Sequence, residues 1–415
     1  MPPSEDLFTR CDVSRIAMYG LQWDVPWVRL ALFVQGAGHL SDPVGKEGTA
    51  HLLEHALHQG TEAHQYRGQS ELYDWLDEQP FTLPSASTSL DFMQFPLIVK
   101  AGELQQGLDF LFQFVCKPSM SHDIEIDREI VRRERVQNGP SPRRMRIHDA
   151  LASAMGASNH RMNTATGLPD DEVLNAITHE DLLGFHERHF HPRQFTLLAV
   201  GSLDPSQYCD VIDRHFGDLR LQYISRAVEP IPFSRPLVRM DRFGPNGTGE
   251  ATAVTLVYRW LYPFQAGKVD IVARNALRTL MYEEVREKRQ LAYGVKVKVL
   301  TNAYAPSILL LQCTVKPQDE DEVRRVIESL VGNEGRIRSI FPRLVRTIER
   351  DLCFEEHTAF NLIDNVWGEL RMFDRIRASR THAEEFSRVT ADETIAFITQ
   401  YLNPADAYLQ AIEDL

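Results

Sequence analysis

Two stretches of the 415-residue chain carry one pattern of residue types at one spacing: ITHEDLLGFHERHFHPRQFTLLAV from Ile177 to Val200, and VTADETIAFITQYLNPADAYLQAI from Val389 to Ile412. Thr178 and Thr390, Phe185 and Phe397, and Pro192 and Pro404 are each 212 residues apart. In both copies an acid, Asp181 or Glu393, follows the threonine by three positions, an arrangement that satisfies the free backbone N–H groups where a helix starts. The proline then stops that helix, and a short apolar strand follows. An earlier echo has strand residues Val99-Lys100 before the amphipathic helix LQQGLDFLFQFV, and Val315-Lys316 before EDEVRRVIESLV, at an offset of 216. Strand followed by helix is common, so either match alone could be chance. Two matches at nearly one offset favour duplication, so the chain folds as two related halves.

The join falls where turn formers concentrate, at Pro230, Pro232, Pro236, Gly244, Pro245, Asn246, Gly247 and Gly249. We therefore expect an N-terminal domain over 1–225, a linker over 226–250 and a related C-terminal domain over 251–415. Each half reads as α+β, a mostly antiparallel sheet under helices, with alternating strands such as Val28 to Val34 and Thr252 to Tyr258. With 43% of residues hydrophobic and 25% charged, there is material for a core in each half. The formal net charge of -13 supplies no field for a phosphate backbone, so nucleic acid is excluded as a main partner. No apolar run approaches the roughly 18 residues of a membrane span. Cys11, Cys116, Cys209, Cys313 and Cys353 are scattered and odd in number, which fits reduced thiols in a cytoplasmic setting. The start, MPPSEDLFTRCDVSR, carries Glu5 and Asp6 and lacks the features of a secretory or transit segment.

The most chemical segment is GTAHLLEHALHQGT, from Gly48 to Thr61. On a helix His51 and His55 stand one turn apart with Glu54 on the same face, giving two imidazoles and a carboxylate together. A catalytic zinc uses such a set: neutral nitrogen ligands, and a non-ligating carboxylate that takes a proton from water. H-x-x-E-H reverses the order of the commoner H-E-x-x-H zinc motif. Taken alone, the pattern also fits an amphipathic helix with incidental His and Glu. Asp127 and Glu134, seven residues apart in IDREIVRRERV, share one face of a second helix.

These motifs together resemble the inverzincin peptidases, the family of pitrilysin, insulin-degrading enzyme and mitochondrial processing peptidase. The resemblance covers nearly the whole chain. The family pattern E-R-x-V-V-x-x-E follows the second histidine by some 75–80 residues, and here Glu134 follows His55 by 79. It implies that His51, His55 and Glu134 hold one zinc per chain, that Glu54 is the catalytic base, and that Asp127 orients a ligand from behind. Asp127 is one methylene shorter than the family's usual Glu. REKRQLAY, Arg286 to Tyr293, is similar to the family's R-E-K-x-x-L-A-Y, which implies that Arg286 and Tyr293 contact the substrate beside the zinc. The family's N-A-x-T-S strand accepts a peptide by main-chain pairing. Its counterpart here is Ser85-Ala86-Ser87-Thr88-Ser89, with Ser in place of Asn. His58, on the same helix face, reads as packing or support. HERH in the cluster His179, His186, His189 and His191 lacks zinc spacing and reads as a surface helix end; Gly38 to Lys46 fails as a phosphate loop because Glu47 stands where Ser or Thr is needed.

The resemblance implies a zinc metalloendopeptidase acting on short or unfolded polypeptides. It also implies two-domain chains that pair as half-shells of a clamshell chamber, as a homodimer or with a related subunit, the Arg/Tyr segment of one chain facing the zinc of the other. Two alternatives stand beside it: a leader-peptide or precursor-processing protease with a sister subunit, and a non-catalytic subunit that keeps the fold.

Overall fold

The structure, a computed structural model, describes residues 8–13, 16–62, 69–83, 85–120, 123–137, 168–203, 210, 214, 240–243, 252–263, 268–302, 305–355, 359–373 and 379–414. The first sheet comprises β1 (Phe8–Val13), β2 (Ile16–Gln22), β3 (Trp27–Gln35), β4 (Phe81–Thr82), β5 (Ser87–Thr88), β6 (Phe92–Lys100) and β7 (Phe195–Gly201). Its order is β1-β2-β7-β3-β6-β4, with β5 also paired to β6. All pairings are antiparallel except β2 with β7. β3 is buried from 28 to 34 without alternation, the mark of a strand covered on both faces. Val28, Leu30, Leu32 and Val34 meet α1 (Thr49–Leu57) and α3 (Leu104–Cys116), which with α2 (Gln69–Leu76), α4 (Glu125–Gln137), α5 (Asp171–Ala176) and α6 (His179–His189) make up the helices described in this half.

The second sheet comprises β8 (Met240–Phe243), β9 (Ala253–Tyr262), β10 (Ala292–Asn302), β11 (Ala305–Val315) and β12 (Tyr408–Asp414), in the order β10-β11-β9-β12-β8. Read as β8-β12-β9-β11-β10, it matches β2-β7-β3-β6-β4 strand for strand, and β8 with β12 is again the parallel pair. Its helices are α7 (Val269–Met281), a π-helical turn (Tyr282–Lys288), α8 (Glu320–Val331), α9 (Glu334–Glu355), α10 (Ala359–Phe373), α11 (Ser379–Arg388) and α12 (Ala391–Tyr401). The two threonine signatures open α6 and α12, and both form complete capping boxes, with Asp181 and Glu393 bonding back to the cap N–H. The chain is thus two tandem, topologically equivalent α+β units of mixed helices and sheets. Much of 226–250 lies outside the described residues, yet β8 falls inside it and completes the second sheet.

The halves interlock through α10. Tyr19, Leu21, Ala31, Phe33, Leu198 and Val200 face away from α1 and α3, and Leu362, Ile363, Val366, Trp367 and Leu370 of α10 cover them. The Trp367 ring stacks on Phe33 with centroids 4.1 Å apart and meets Phe92 edge-on at 5.3 Å. Polar contacts frame this patch: Arg371 donates to Asp91 at 2.7 Å, Gln94 to Asp364 at 3.3 Å, and Arg29 lies 3.8 Å from Asp364.

Candidate metal centre

The site begins with how α1 is anchored. Gly48, just before the helix, adopts φ 91°, a conformation that L side chains resist. This lets the Asp42 carboxylate accept from the backbone N–H of Gly48 and of Ala50, each at 2.7 Å. Asp42 thus caps α1 from outside the helix and sets a negative group at the positive end of its dipole. Burial pushes its carboxyl up to about 7, against the pull of the two N–H donors. Ala50, Leu52, Leu53, Ala56 and Leu57 then bury one side of the helix in the core.

The opposite side presents His51 and His55 toward Glu134 of α4. His51 Nε2 and His55 Nε2 are 3.2 Å apart, and Glu134 Oε2 lies 3.2 Å from the first and 3.6 Å from the second. One donor atom from each of the three fits within a 4.8 Å span. A tetrahedral zinc with arms of about 2.0–2.1 Å separates its donors by about 3.3–3.4 Å. The three donors already stand close to three corners of such a tetrahedron, and their chemistry, two imidazoles and a carboxylate, suits zinc. Side-chain exposure rises from 8% at His55 and 14% at His51 to 35% at Glu134, so the set opens to solvent on one side. The two imidazoles hold the Glu134 carboxyl far below its ordinary range.

Glu54, 8% exposed, lies between the histidines in sequence and is not part of the converging set. Its Oε2 accepts from the Thr88 hydroxyl at 2.5 Å. Asp127 is buried and its carboxylate accepts from the Gln59 amide; burial lifts its carboxyl to about 6, opposed by Gln59 and by nearby His55. His55 Nδ1 has no hydrogen-bond partner among the described residues, so Asp127 does not bond His55 from behind. His58 turns away from the centre: its Nδ1–H donates to the Glu54 carbonyl at 2.8 Å and its ring packs edge-on against Phe114.

Ser85 and Ser87 are exposed and Ala86 half-buried on the sheet edge, where β4 and β5 pair with β6. The edge breaks between them opposite Pro96, which has no N–H to offer a neighbour. Arg286 lies in the π-helical turn of the second half, its guanidinium 4.7 Å over the Tyr282 ring. The Tyr293 backbone lies in β10, beside a register shift between Ala292 and Val295, and its side chain is outside the described residues. The histidines of HERH are structural: His186 Nε2 bonds the Val115 carbonyl at 2.8 Å, and the His189 ring packs against Phe185 with the two planes tilted by 35°.

Three contributors escaped the sequence reading. Asp42 caps from outside the window where caps are sought. His39 is buried against His51 with ring centroids 6.4 Å apart, and burial drops its imidazole to about 3. Thr88 sat in the segment weighed for its backbone, while its hydroxyl reaches the carboxylate of α1.

Comparison with known proteins agrees with this architecture. The family model described as Insulinase (Peptidase family M16) matches residues 24–166, and that described as Peptidase M16 inactive domain matches 176–333. An uncharacterized zinc protease of Mycobacterium tuberculosis is 24% identical over 275 residues, 63% of this chain and 59% of that protein. The match thus spans about three fifths of that relative's length. Among solved structures, a protease from Helicobacter pylori superposes with a TM-score of 0.80 at 15% identity, covering 100% of both chains. The periplasmic protease PqqL from Escherichia coli gives a TM-score of 0.75 at 15% identity over 97% of this chain but 46% of that one. In α7, the helix after β9 as α1 is the helix after β3, the sequence VDIVARNALRTLM has no histidine.

Proposed function

The chain belongs to the insulinase (M16) family of peptidases, and from that premise we propose that it is a zinc metalloendopeptidase cleaving short or unfolded polypeptides. The observation that carries the reading is the donor triangle of His51, His55 and Glu134, with edges of 3.2, 3.2 and 3.6 Å and Glu54 beside it. Zinc held there would polarise the scissile carbonyl and make a water acidic enough to attack near neutral pH. Glu54 would accept a proton from water there and return it to the leaving amine. The substrate pairs with the Ser85–Ala86–Ser87 edge as an added strand, which presents an extended backbone and rejects folded chains. Arg286 and Tyr293 donate to the carbonyl oxygen as it gains negative charge.

Two chains, alike or related, enclose the site as half-shells, with Arg286 and Tyr293 serving the partner's zinc. PqqL supports a paired arrangement, since this chain matches 46% of it. Thiol content favours a cytoplasmic setting, and no helix among the described residues is long and apolar enough to cross a membrane. The rival, a non-catalytic subunit, draws on the inactive-domain match over 176–333. That match covers the half without the donor triangle, so it does not remove the first half's chemistry.

Cleavage of an unstructured peptide pool tests the reading. Activity should depend on zinc, vanish with a chelator and fall by about 10²–10⁴ in Glu54→Gln. Bound zinc with no Glu54-dependent cleavage would favour the non-catalytic subunit, and cleavage confined to one precursor would favour the dedicated processing protease. For the shared site, mixing inactive Glu54→Gln and Arg286→Ala chains should restore activity; no recovery in verified mixed dimers rules out action in trans.

A further inference from the structure

We propose that Thr88 is a positioning residue whose hydroxyl holds the Glu54 carboxylate in the orientation from which it exchanges a proton with water; this rests on the peptidase reading above. The contact, 2.5 Å from Thr88 Oγ1 to Glu54 Oε2, lies at the short end of the range for a hydroxyl on an ionised carboxylate. It joins residues 34 apart in sequence, one on α1 and one on the edge strand β5. With Oε2 held, Oε1 is the oxygen left for the proton.

The donor is itself held from several directions. Thr88 pairs with Met93 in the β5–β6 ladder, and a β-branched side chain has few rotamers to sample. The buried His39 ring hydrogen-bonds the Thr88 backbone, and His39 N–H donates to the Ser89 carbonyl at 3.0 Å. Gly38 lets these segments meet: a Cβ there would come within 2.4 Å of the Asp91 nitrogen. Arg371 of α10 then ties Asp91 into the second half. Thr88 also continues directly from Ser85–Ser87, so the strand that would take the peptide also carries the group that aims the base.

The test uses the full chain loaded with zinc, as wild type, Thr88→Val and Thr88→Ser. Valine keeps the branched shape and removes the donor, while serine keeps the donor. Expected for valine is a kcat about 10- to 100-fold lower, the scale of a misplaced catalytic group, with KM, zinc content and melting temperature near wild type. Serine should retain most of kcat. A valine variant within about twofold of wild-type kcat overturns the proposal. So does one that loses zinc or melts early without rescue by serine, because a defect that the retained hydroxyl does not repair belongs to the packing of the side chain. If zinc-loaded wild type cleaves no peptide, the peptidase reading fails, and crystal structures decide this contact separately. A Glu54 carboxylate on the Thr88 hydroxyl in wild type and displaced in valine supports it; one that is unmoved overturns it.

Discussion

Glu134→Gln puts the metal centre at direct risk. The amide keeps the length of the side chain and one carbonyl oxygen but removes the charge that stands 3.2 and 3.6 Å from the two imidazoles. Four-ligand protein zinc sites bind with about 10–16 kcal/mol, so one ligand's share is about 2.5–4 kcal/mol. At about 1.4 kcal/mol per decade, zinc affinity should fall by about 10²–10³. The comparison is Glu129→Gln on the same helix, where the carboxylate bonds Arg132 and Arg133 on the helix surface. That change should leave affinity within about threefold, as removal of an exposed ion pair does. Competition of metal-free protein with a chromogenic chelator reads both, and the rise in melting temperature with added zinc gives a second measure. Glu134→Gln binding within about threefold of wild type, or Glu129→Gln losing as much, refutes the assignment.

Trp367→Ala removes a side chain 4% exposed and stacked on Phe33 at 4.1 Å; unfolding by urea should show a loss of about 3–5 kcal/mol. A loss under about 1 kcal/mol would mean that α10 is not integral to the first unit. Asp42 sets a pH dependence: burial raises its folded carboxyl from 3.8 to about 7, so the folded state keeps a proton that the unfolded chain has lost. Its contribution is full below 3.8 and declines as pH rises toward 7, by up to about 4 kcal/mol. Denaturation profiles of wild type and Asp42→Asn should therefore converge toward low pH and separate toward neutral pH, with wild type losing ground; parallel profiles would contradict the burial argument.

Legibility in the sequence followed the range of the interactions. The duplication could be read because Thr178 with Asp181 and Thr390 with Glu393 are local caps, and both formed. His51, His55 and Glu54 could be read because one helix turn fixes their face. Glu134 needed a known pattern, since nothing in a helix with acids at 125, 127, 129 and 134 says which one meets α1. What stayed hidden was long-range. β8 lay in a stretch read as linker, because only pairing with β12 makes it a strand of the sheet. Thr88 and Asp42 reach α1 from 34 and 6–8 residues away through a strand edge and a loop, and no periodicity encodes such contacts. α10 was not read from the sequence, and its apolar stripe does not name the sheet it covers.

That last helix also sets a clock on synthesis. The first unit's strands are complete in the chain at Gly201, but the cover for Ala31, Phe33, Leu198 and Val200 ends at Leu370, 169 residues later. At about 5–20 residues per second, a ribosome needs roughly 8–34 s to make that stretch. Through that interval a nascent chain carries an apolar sheet face with nothing of its own to place on it. A gene fragment ending near residue 225 would make the condition permanent, and its product should aggregate or recruit chaperones however well its metal-binding helix is formed.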